Sequence, residues 1–437
     1  MQLLIPRLLL CLDGNTEVLE NHAVLIDGER VAEVGPALTL LAKYPEAEKI
    51  ELPDQVLMPG LINCHTHAAM NLFRGIADDL ALHDWLQTRI WPLEGAHADQ
   101  EFVYDGTVMS AAEMLLGGTT TFNDMYFYPD QVVQAAIDVG IRVVAGITVI
   151  EFPTRYASDA NQYIELGLAA RDKTLNEATV HWSVAPHAPY TVSDDTFLRL
   201  ASLAEELNLP IHCHLHETAS EVTDAVSRNG VRPFDRLLKL GVINERFMAV
   251  HGVHLNDSEL AQMSKAGASL VHCPASNLKL ASGIAPISTA LKAGVNVVVG
   301  TDGAASNNKI DMWDEMRLAA LLCKGASLDA TAWTASEVLL GVTNGAAKAL
   351  GLESVTGRIS SGFKADLIAV ELDQKPHQSP LHNLVSKLVY SGSARDVAHV
   401  WVNGKRVVES QQLVGKSSQL VSQTMRKVTR VWQTRLQ

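Results

Sequence analysis

Short apolar runs bounded by turn residues recur through the middle of the chain. They are "VLMPGLIN" (56–63), "TTTFNDM" (119–125), "IRVVAGITVI" (141–150), "TVHWSVAPH" (179–187), "LPIHCHLH" (209–216), "FMAVHGVHL" (247–255), "ASLVHCPAS" (268–276) and "VNVVVGTDG" (295–303). Between them, stretches such as "DDTFLRLASLAEELN" (194–208) and "DSELAQMSKAG" (257–267) space their apolar residues for helices. Strands alternating with helices predict a parallel sheet, and eight such units predict an α/β fold of the (β/α)8 TIM-like barrel type over residues 55–350. An open doubly wound sheet is the alternative. The polar residues at the strand ends favour closure, because only a barrel brings them to one mouth.

The flanks carry a different pattern. Residues 3–54 hold short runs, including "AVLIDGERVAEVG", with Asp27 and Gly28 between two apolar stretches, which is a hairpin signal. Residues 357–409 hold "GRISSGFKADLIAVEL" and "DVAHVWVNGKRVVES", with a second turn at Asn403–Gly404. These two β segments, 1–54 and 351–437, are expected to pair into one small β-sandwich domain beside the barrel. The tail places Val421, Met425, Val428 and Trp432 at helical spacing, a stripe for the core or for an interface anchored by Trp432.

Composition narrows the function classes. Of 437 residues, 47% are hydrophobic and 19% charged, as in a soluble protein with a large core. The net charge of −14 speaks against nucleic-acid and anionic-membrane partners, which need basic surface. Five cysteines, none in a C-x-x-C pair, fit reduced thiols in a cytoplasmic protein. The start, "MQLLIPRLLLCLDG", has no basic n-region and carries Pro6 and Arg7 inside its apolar run, so it reads as an opening strand rather than a signal peptide. No apolar run reaches the length of a membrane-spanning helix.

Catalytic groups of a (β/α)8 barrel sit at the C-terminal ends of its strands. Strand one ends in "HTH" (His65, His67), strand four in "APHAPYT" (His187), strand five in "HLHE" (His214, His216, Glu217), strand six carries "VHGVH" (His251), and strand eight ends in "GTDGAAS" (Asp302). His65 and His67 share a face of an extended strand, and both can reach one ion at about 2.0–2.1 Å for zinc. An isolated H-x-H equally suits two hydrogen-bonded residues in a turn; the later His and Asp make a metal the better reading. In "PIHCHLHETASE" (210–221), His212, His214 and His216 alternate, so the pattern alone leaves the ligand among them open.

"PGLINCHTH", the H-x-x-E at 214–217, "HGVHL" and "GTDGAASNN" resemble the amidohydrolase superfamily, and within it the 5-methylthioadenosine/S-adenosylhomocysteine deaminases. The likeness runs nearly end to end: "GFKADLIAVEL" and "LVYSGSARDVAHVWVNGKRVV" are similar to that superfamily's tails. It implies His65, His67, His214 and Asp302 as metal ligands. His212 is then a core group or one behind the ligands, and His216 a supporting residue past the strand end. The bridging lysine of two-metal members has no counterpart in "VHWSVAPHAPYT", which implies one divalent metal, zinc first and iron second.

A single divalent ion lowers the pKa of water to about 7, which suits hydrolysis at an electron-poor ring carbon. By the resemblance, Asp302 takes the water proton, Glu217 protonates the ring nitrogen, and His251 stabilises the tetrahedral oxygen. The resemblance also implies Glu94 and His187 on the ribose hydroxyls and Trp85 as an apolar wall, although Trp85 suits a plain core position as well. Arg155, on a loop that is no clear motif, is placed on a homocysteine carboxylate. Glu221 reads as a first-turn helix carboxylate, and Ser306 and Asn307 as residues that shape a loop. The expected activity is deamination of 5-methylthioadenosine and S-adenosylhomocysteine by a homo-oligomer acting on a small nucleoside. Deamination of guanine, 8-oxopurine or triazine-type bases is the alternative within the fold, and a non-catalytic scaffold the alternative outside it.

Overall fold

The computed structural model describes residues 1–436 of the chain. Eight parallel strands follow one another in chain order around a barrel: β1 (Leu61–Thr66), β2 (Thr119–Asp124), β3 (Arg142–Val149), β4 (Val180–Pro186), β5 (Ile211–Leu215), β6 (Phe247–His251), β7 (Ser269–His272) and β8 (Asn296–Val299). Seven of the eight predicted runs contain one of them whole. The first run is displaced: "VLMPGLIN" covers the end of one strand, Glu48–Pro59, and the start of the next, β1. The break between them is Gly60, where a Cβ would come within 2.1 Å of the Thr120 hydroxyl. That close approach leaves no trace in hydrophobicity.

The seam between β8 and β1 is closed mainly by a side chain. Asn63 donates to Thr301 Oγ1 at 2.7 Å and accepts the Thr301 N–H at 3.0 Å, and the Asp302 N–H donates to the His65 carbonyl at 3.0 Å. Gly300 permits this contact, since a Cβ there would lie 2.8 Å from the His65 backbone nitrogen. The seam therefore fixes His65 and Asp302 side by side.

Strands from the two ends of the chain form a second, mostly antiparallel sheet. Glu48–Pro59 pairs in parallel with Gln2–Leu10 on one side and antiparallel with Leu367–Glu371 on the other. The expected hairpins are present, His22–Asp27 with Arg30–Pro36 and Val397–Val402 with Lys405–Glu409. Asn403 and Gly404 have φ of +51° and +76°, as a two-residue hairpin turn requires. Arg142, at the start of β3, ties this sheet to the barrel. Its Nε and one terminal nitrogen bind the two Asp366 oxygens at 2.8 and 3.0 Å, with both side chains fully buried.

The tail is helical as predicted, but Trp432 is no interface anchor. It is 1% exposed, stacks edge-on to Phe102 at 5.4 Å and donates its Nε1–H to Asp105 Oδ2 at 2.8 Å. A helix of the chain's own barrel, Gln100–Leu116, supplies both partners. Among the described residues, no helix is long and apolar enough to cross a membrane.

Candidate active site

The strand ends converge as the barrel requires. His65 Nε2 and His67 Nε2 lie 3.2 and 3.3 Å from Asp302 Oδ1, and His214 Nε2 lies 3.3 Å from His65 Nε2. A ring nitrogen of His251 joins those of His65 and His214 within 4.8 Å. His251 and Asp302 have φ of +72° and +61°, a left-handed conformation that non-glycine residues adopt at a cost and that clusters at functional sites.

The hydrogen bonds behind these rings decide which nitrogen faces inward. His67 Nδ1 is 2.6 Å from the Met125 carbonyl, and His214 Nδ1 is 2.7 Å from the His187 carbonyl. A carbonyl only accepts, so each Nδ1 carries the proton, and in the neutral ring each Nε2 turns a lone pair toward the centre. Burial holds His65 at a pKa of about 4 and His214 well below its usual range, so both are neutral at pH 7. Burial acts to raise the Asp302 pKa, yet the contact with the His65 ring, first among its neighbours, holds it well below the usual carboxylate range. Lone pairs and a carboxylate facing one another at 3.2–3.3 Å repel unless a cation lies among them. Three imidazoles and one carboxylate suit a divalent transition metal. His65, His67, His214 and Asp302 would hold it.

The alternating histidines separate by where their rings point. His212 lies behind His65, Nε2 to Nδ1 at 2.8 Å, and orients its ring. His216 turns away: its Nε2 accepts the Phe234 N–H at 3.1 Å, and its backbone takes a φ of +54°. Only His214 of the three presents a nitrogen to the cluster.

A cavity of about 240 Å³ opens over the cluster and is walled mostly by apolar side chains. Glu217, His251, Asp302, Glu94, His187, Trp85 and Arg155 all line it. Glu217 is 6% exposed, its Oε2 lies 3.8 Å from His251 Nε2, and Ser282 donates to its Oε1 at 3.3 Å. Burial raises its pKa above the ordinary carboxylate value, which favours the protonated form. His251 donates from Nδ1 to Asn277 Oδ1 at 2.8 Å, which leaves Nε2 facing the cavity.

Burial pushes the Glu94 carboxyl up to about 7. Beside it, the Tyr126 hydroxyl partly offsets that shift but stands outside hydrogen-bond geometry with any group. His187 Nδ1 contacts Thr191 Oγ1 at 3.0 Å. Arg155 donates one terminal nitrogen to the Ala96 carbonyl at 2.7 Å and holds the other 3.7 Å from Asp99. Trp85 is buried, with its Nε1–H unpartnered.

Several supporting residues escaped sequence reasoning. Glu221 is a half-buried carboxylate that accepts the N–H groups of His216 and Glu217 at 2.9 and 2.8 Å. It sets the turn carrying Glu217, beyond the role of a helix-start charge. Ser276 and Ser306 both donate to Asp302 Oδ2, at 2.6 and 2.8 Å, so Ser306 does more than shape its loop. The run "CPASN" after β7 was the available signal for Ser276 and Asn277, since it occupies a strand end as the histidines do.

Comparison with known proteins agrees with this geometry. The Amidohydrolase family model matches residues 56–407, and an Imidazolonepropionase-like composite domain model matches the short stretch 23–47. A 5-methylthioadenosine/S-adenosylhomocysteine deaminase of Saccharophagus degradans is 44% identical over 90% of this chain and 88% of its own length. A zinc-bound adenosine deaminase from Xanthomonas campestris is 40% identical, covers 100% of this chain and 98% of its own, and superposes with a TM-score of 0.95. Atrazine chlorohydrolase TrzN from Arthrobacter aurescens, complexed with zinc, is 25% identical, with 98% of this chain and 100% of that one covered and a TM-score of 0.90. With the family model spanning most of the barrel and such relatives matching along the chain, this protein belongs to the amidohydrolase family.

Proposed function

We propose that the protein is a metal-dependent hydrolase that deaminates adenosine-type thioethers, 5-methylthioadenosine and S-adenosylhomocysteine, to the inosyl products. One observation carries this reading: a single cavity joins the four-ligand cluster and the Glu217–His251 pair to Glu94 and His187. A free base would leave those last two groups without a use. The names of the similar deaminases support the substrate class.

A bound zinc ion would supply Lewis acidity and lower the pKa of water; the donor set suits zinc and iron alike, and the zinc in the Xanthomonas campestris relative favours zinc. Asp302 takes a proton from water; Ser276 and Ser306 hold its Oδ2 and the Gly303 N–H holds its Oδ1 at 2.8 Å, which fixes the carboxylate for that task. Glu217, with its raised pKa, gives a proton to the ring nitrogen beside the attacked carbon, so that negative charge does not build on the purine. Water adds at the carbon bearing the amino group, ammonia leaves with the proton that Asp302 took up, and the remaining hydroxyl proton passes to Glu217 as the carbonyl of the product forms. His251 Nε2 faces the same cavity and orients the oxygen that adds. The Glu94 carboxylate accepts from the two ribose hydroxyls, with His187 near the same sugar. Trp85 walls the base or the sulfur substituent, and the Arg155 edge not held by Ala96 meets a homocysteine carboxylate. The chain divides into the barrel, 55–350, which carries this chemistry, and the terminal domain, 1–54 with 351–437, which supports it.

Ammonia release over a panel tests the proposal: methylthioadenosine, S-adenosylhomocysteine, adenosine, adenine, guanine, 8-oxoguanine and a triazine. Turnover of the thioethers above all others is expected. Turnover of free bases alone would remove the ribose roles of Glu94 and His187. No turnover together with no bound metal would make the chain a scaffold.

A further inference from the structure

Asp302 Oδ2 receives its two hydroxyl donors from two separate pieces of chain. Ser276 sits on the short helix Pro274–Lys279 after β7, and Ser306 on the turn Ala304–Asn307 after β8. Both pieces are fastened to one more carboxylate. Glu315, on the helix Met312–Ser327, accepts the Ala275 N–H at 3.3 Å on Oε2 and the Asn307 Nδ2–H at 2.7 Å on Oε1. Each of these contacts is one residue away from a serine that holds Asp302. Asn307 spends its second amide hydrogen on the Thr301 carbonyl at 2.8 Å, on the other side of Asp302.

Glu315 is 2% exposed, does not line the cavity, and makes no ion pair among the described residues. A buried carboxylate without a cation is costly, and a leucine would fill the same space without that cost. We propose that Glu315 is a positioning residue for Asp302: it clamps the β7 and β8 loops together, so that Ser276 and Ser306 hold Oδ2 and leave Oδ1 facing the metal ligands. Burial acts to raise its pKa, and the Ala275 and Asn307 hydrogen bonds act against that rise, because both of its oxygens accept N–H groups.

Glu315→Gln separates this role from plain packing. Its amide oxygen still accepts from Asn307, but its amide nitrogen meets the Ala275 N–H donor to donor, so only the β7 arm is released. Removing such a support behind a metal ligand typically costs about 10–100-fold in metal affinity or activity. We expect Glu315→Gln to weaken zinc binding, measured by chelator competition, about tenfold or more and to lower kcat similarly, with KM within about twofold. Adding Ser276→Ala to Glu315→Gln should cost little more, since that arm is already free, whereas Ser306→Ala should cost its full amount. Wild-type zinc affinity and kcat in Glu315→Gln would overturn the proposal, as would Ser276→Ala costing the same in both backgrounds. Should Glu315→Gln fail to fold, Asn307→Ala releases the β8 arm and must give the same split between kcat and KM; an unchanged kcat there overturns the clamp. The kcat readout rests on the proposed deaminase activity. If the wild type releases no ammonia, that activity fails by itself, and the zinc affinities still decide the clamp.

Discussion

Glu221 accepts the backbone N–H of Glu217 at 2.8 Å, so one carboxylate positions the backbone of another four residues earlier. Its second oxygen takes the His216 N–H, and together they hold a turn in which His216 has a φ of +54°. Glu217→Gln should keep its metal, because Glu217 is no ligand, and lose about 10²–10⁴-fold in kcat, the usual worth of general acid–base catalysis. Glu221→Gln should also lower kcat, by about tenfold or more, because an amide nitrogen would face a backbone donor where both carboxylate oxygens now accept. Steady-state kinetics beside metal analysis checks both. Full activity in Glu217→Gln removes it from the mechanism.

The pH dependence of binding should report Glu94. Its pKa is raised to about 7 by burial, so much of it is protonated in the free enzyme below that pH. Two ribose hydroxyls donate best to an ionised carboxylate, so binding should release a proton below about pH 7, and kcat/KM should rise with pH up to that point. Stability runs the opposite way. Between the ordinary value of 4.5 and about 7 the folded state binds more protons than the unfolded chain, so this contribution is full below 4.5 and lost as the pH climbs through about 7. Glu94→Gln should flatten both trends while raising KM. An acid limb of kcat/KM that survives unchanged in Glu94→Gln would assign the titration to another group.

Breaking the Arg142–Asp366 pair should destabilise the protein without touching the site. Asp366 also accepts the Asn403 N–H at 2.7 Å, so one buried carboxylate joins β3 to the hairpin turn of the terminal sheet. Removing one partner of a buried pair costs about 3–5 kcal/mol, because the other charge is left uncompensated. Asp366→Ala should therefore melt well below the wild type yet bind zinc normally. Burial acts to raise the Asp366 pKa, but the Arg142 charge and hydrogen bonds hold it below the ordinary 3.8. The pair's contribution is thus present above that value and lost as the pH falls through the lower, folded value. A Tm equal to wild type would show the pair to be dispensable.

Much of this architecture was written locally. Eight strands with a chemical group at the end of most of them need only the alternation of apolar runs and helices, and the barrel rule then brings His65, His67, His214 and Asp302 together. What stayed hidden depends on partners distant in sequence or on backbone groups. Glu315 binds residues 40 and 8 positions away. Glu221 binds only main-chain N–H groups, which any sequence supplies. Trp432 finds Asp105 across 327 residues. Gly60 breaks a continuous apolar run for a steric reason, its approach to Thr120, that no periodicity carries.

The three alternating histidines of β5 should grade in their effect on metal binding. His214 turns Nε2 into the cluster and is fixed by the His187 carbonyl, so His214→Ala should abolish zinc binding and turnover. His212 reaches the cluster only through His65 Nδ1, so His212→Ala should weaken zinc by about 10–100-fold, the usual cost of losing a partner behind a ligand. His216 shares the strand face by sequence parity, yet its ring accepts the Phe234 N–H away from the cluster. His216→Ala should lower Tm through that lost bond and leave the zinc affinity of the folded protein near wild type. The order follows from where each ring's second nitrogen goes, since parity alone would rank the three equally. Zinc affinity that falls as far in His216→Ala as in His214→Ala would mean that the strand end is reshaped when the metal binds, and that His214 is not the sole ligand from β5.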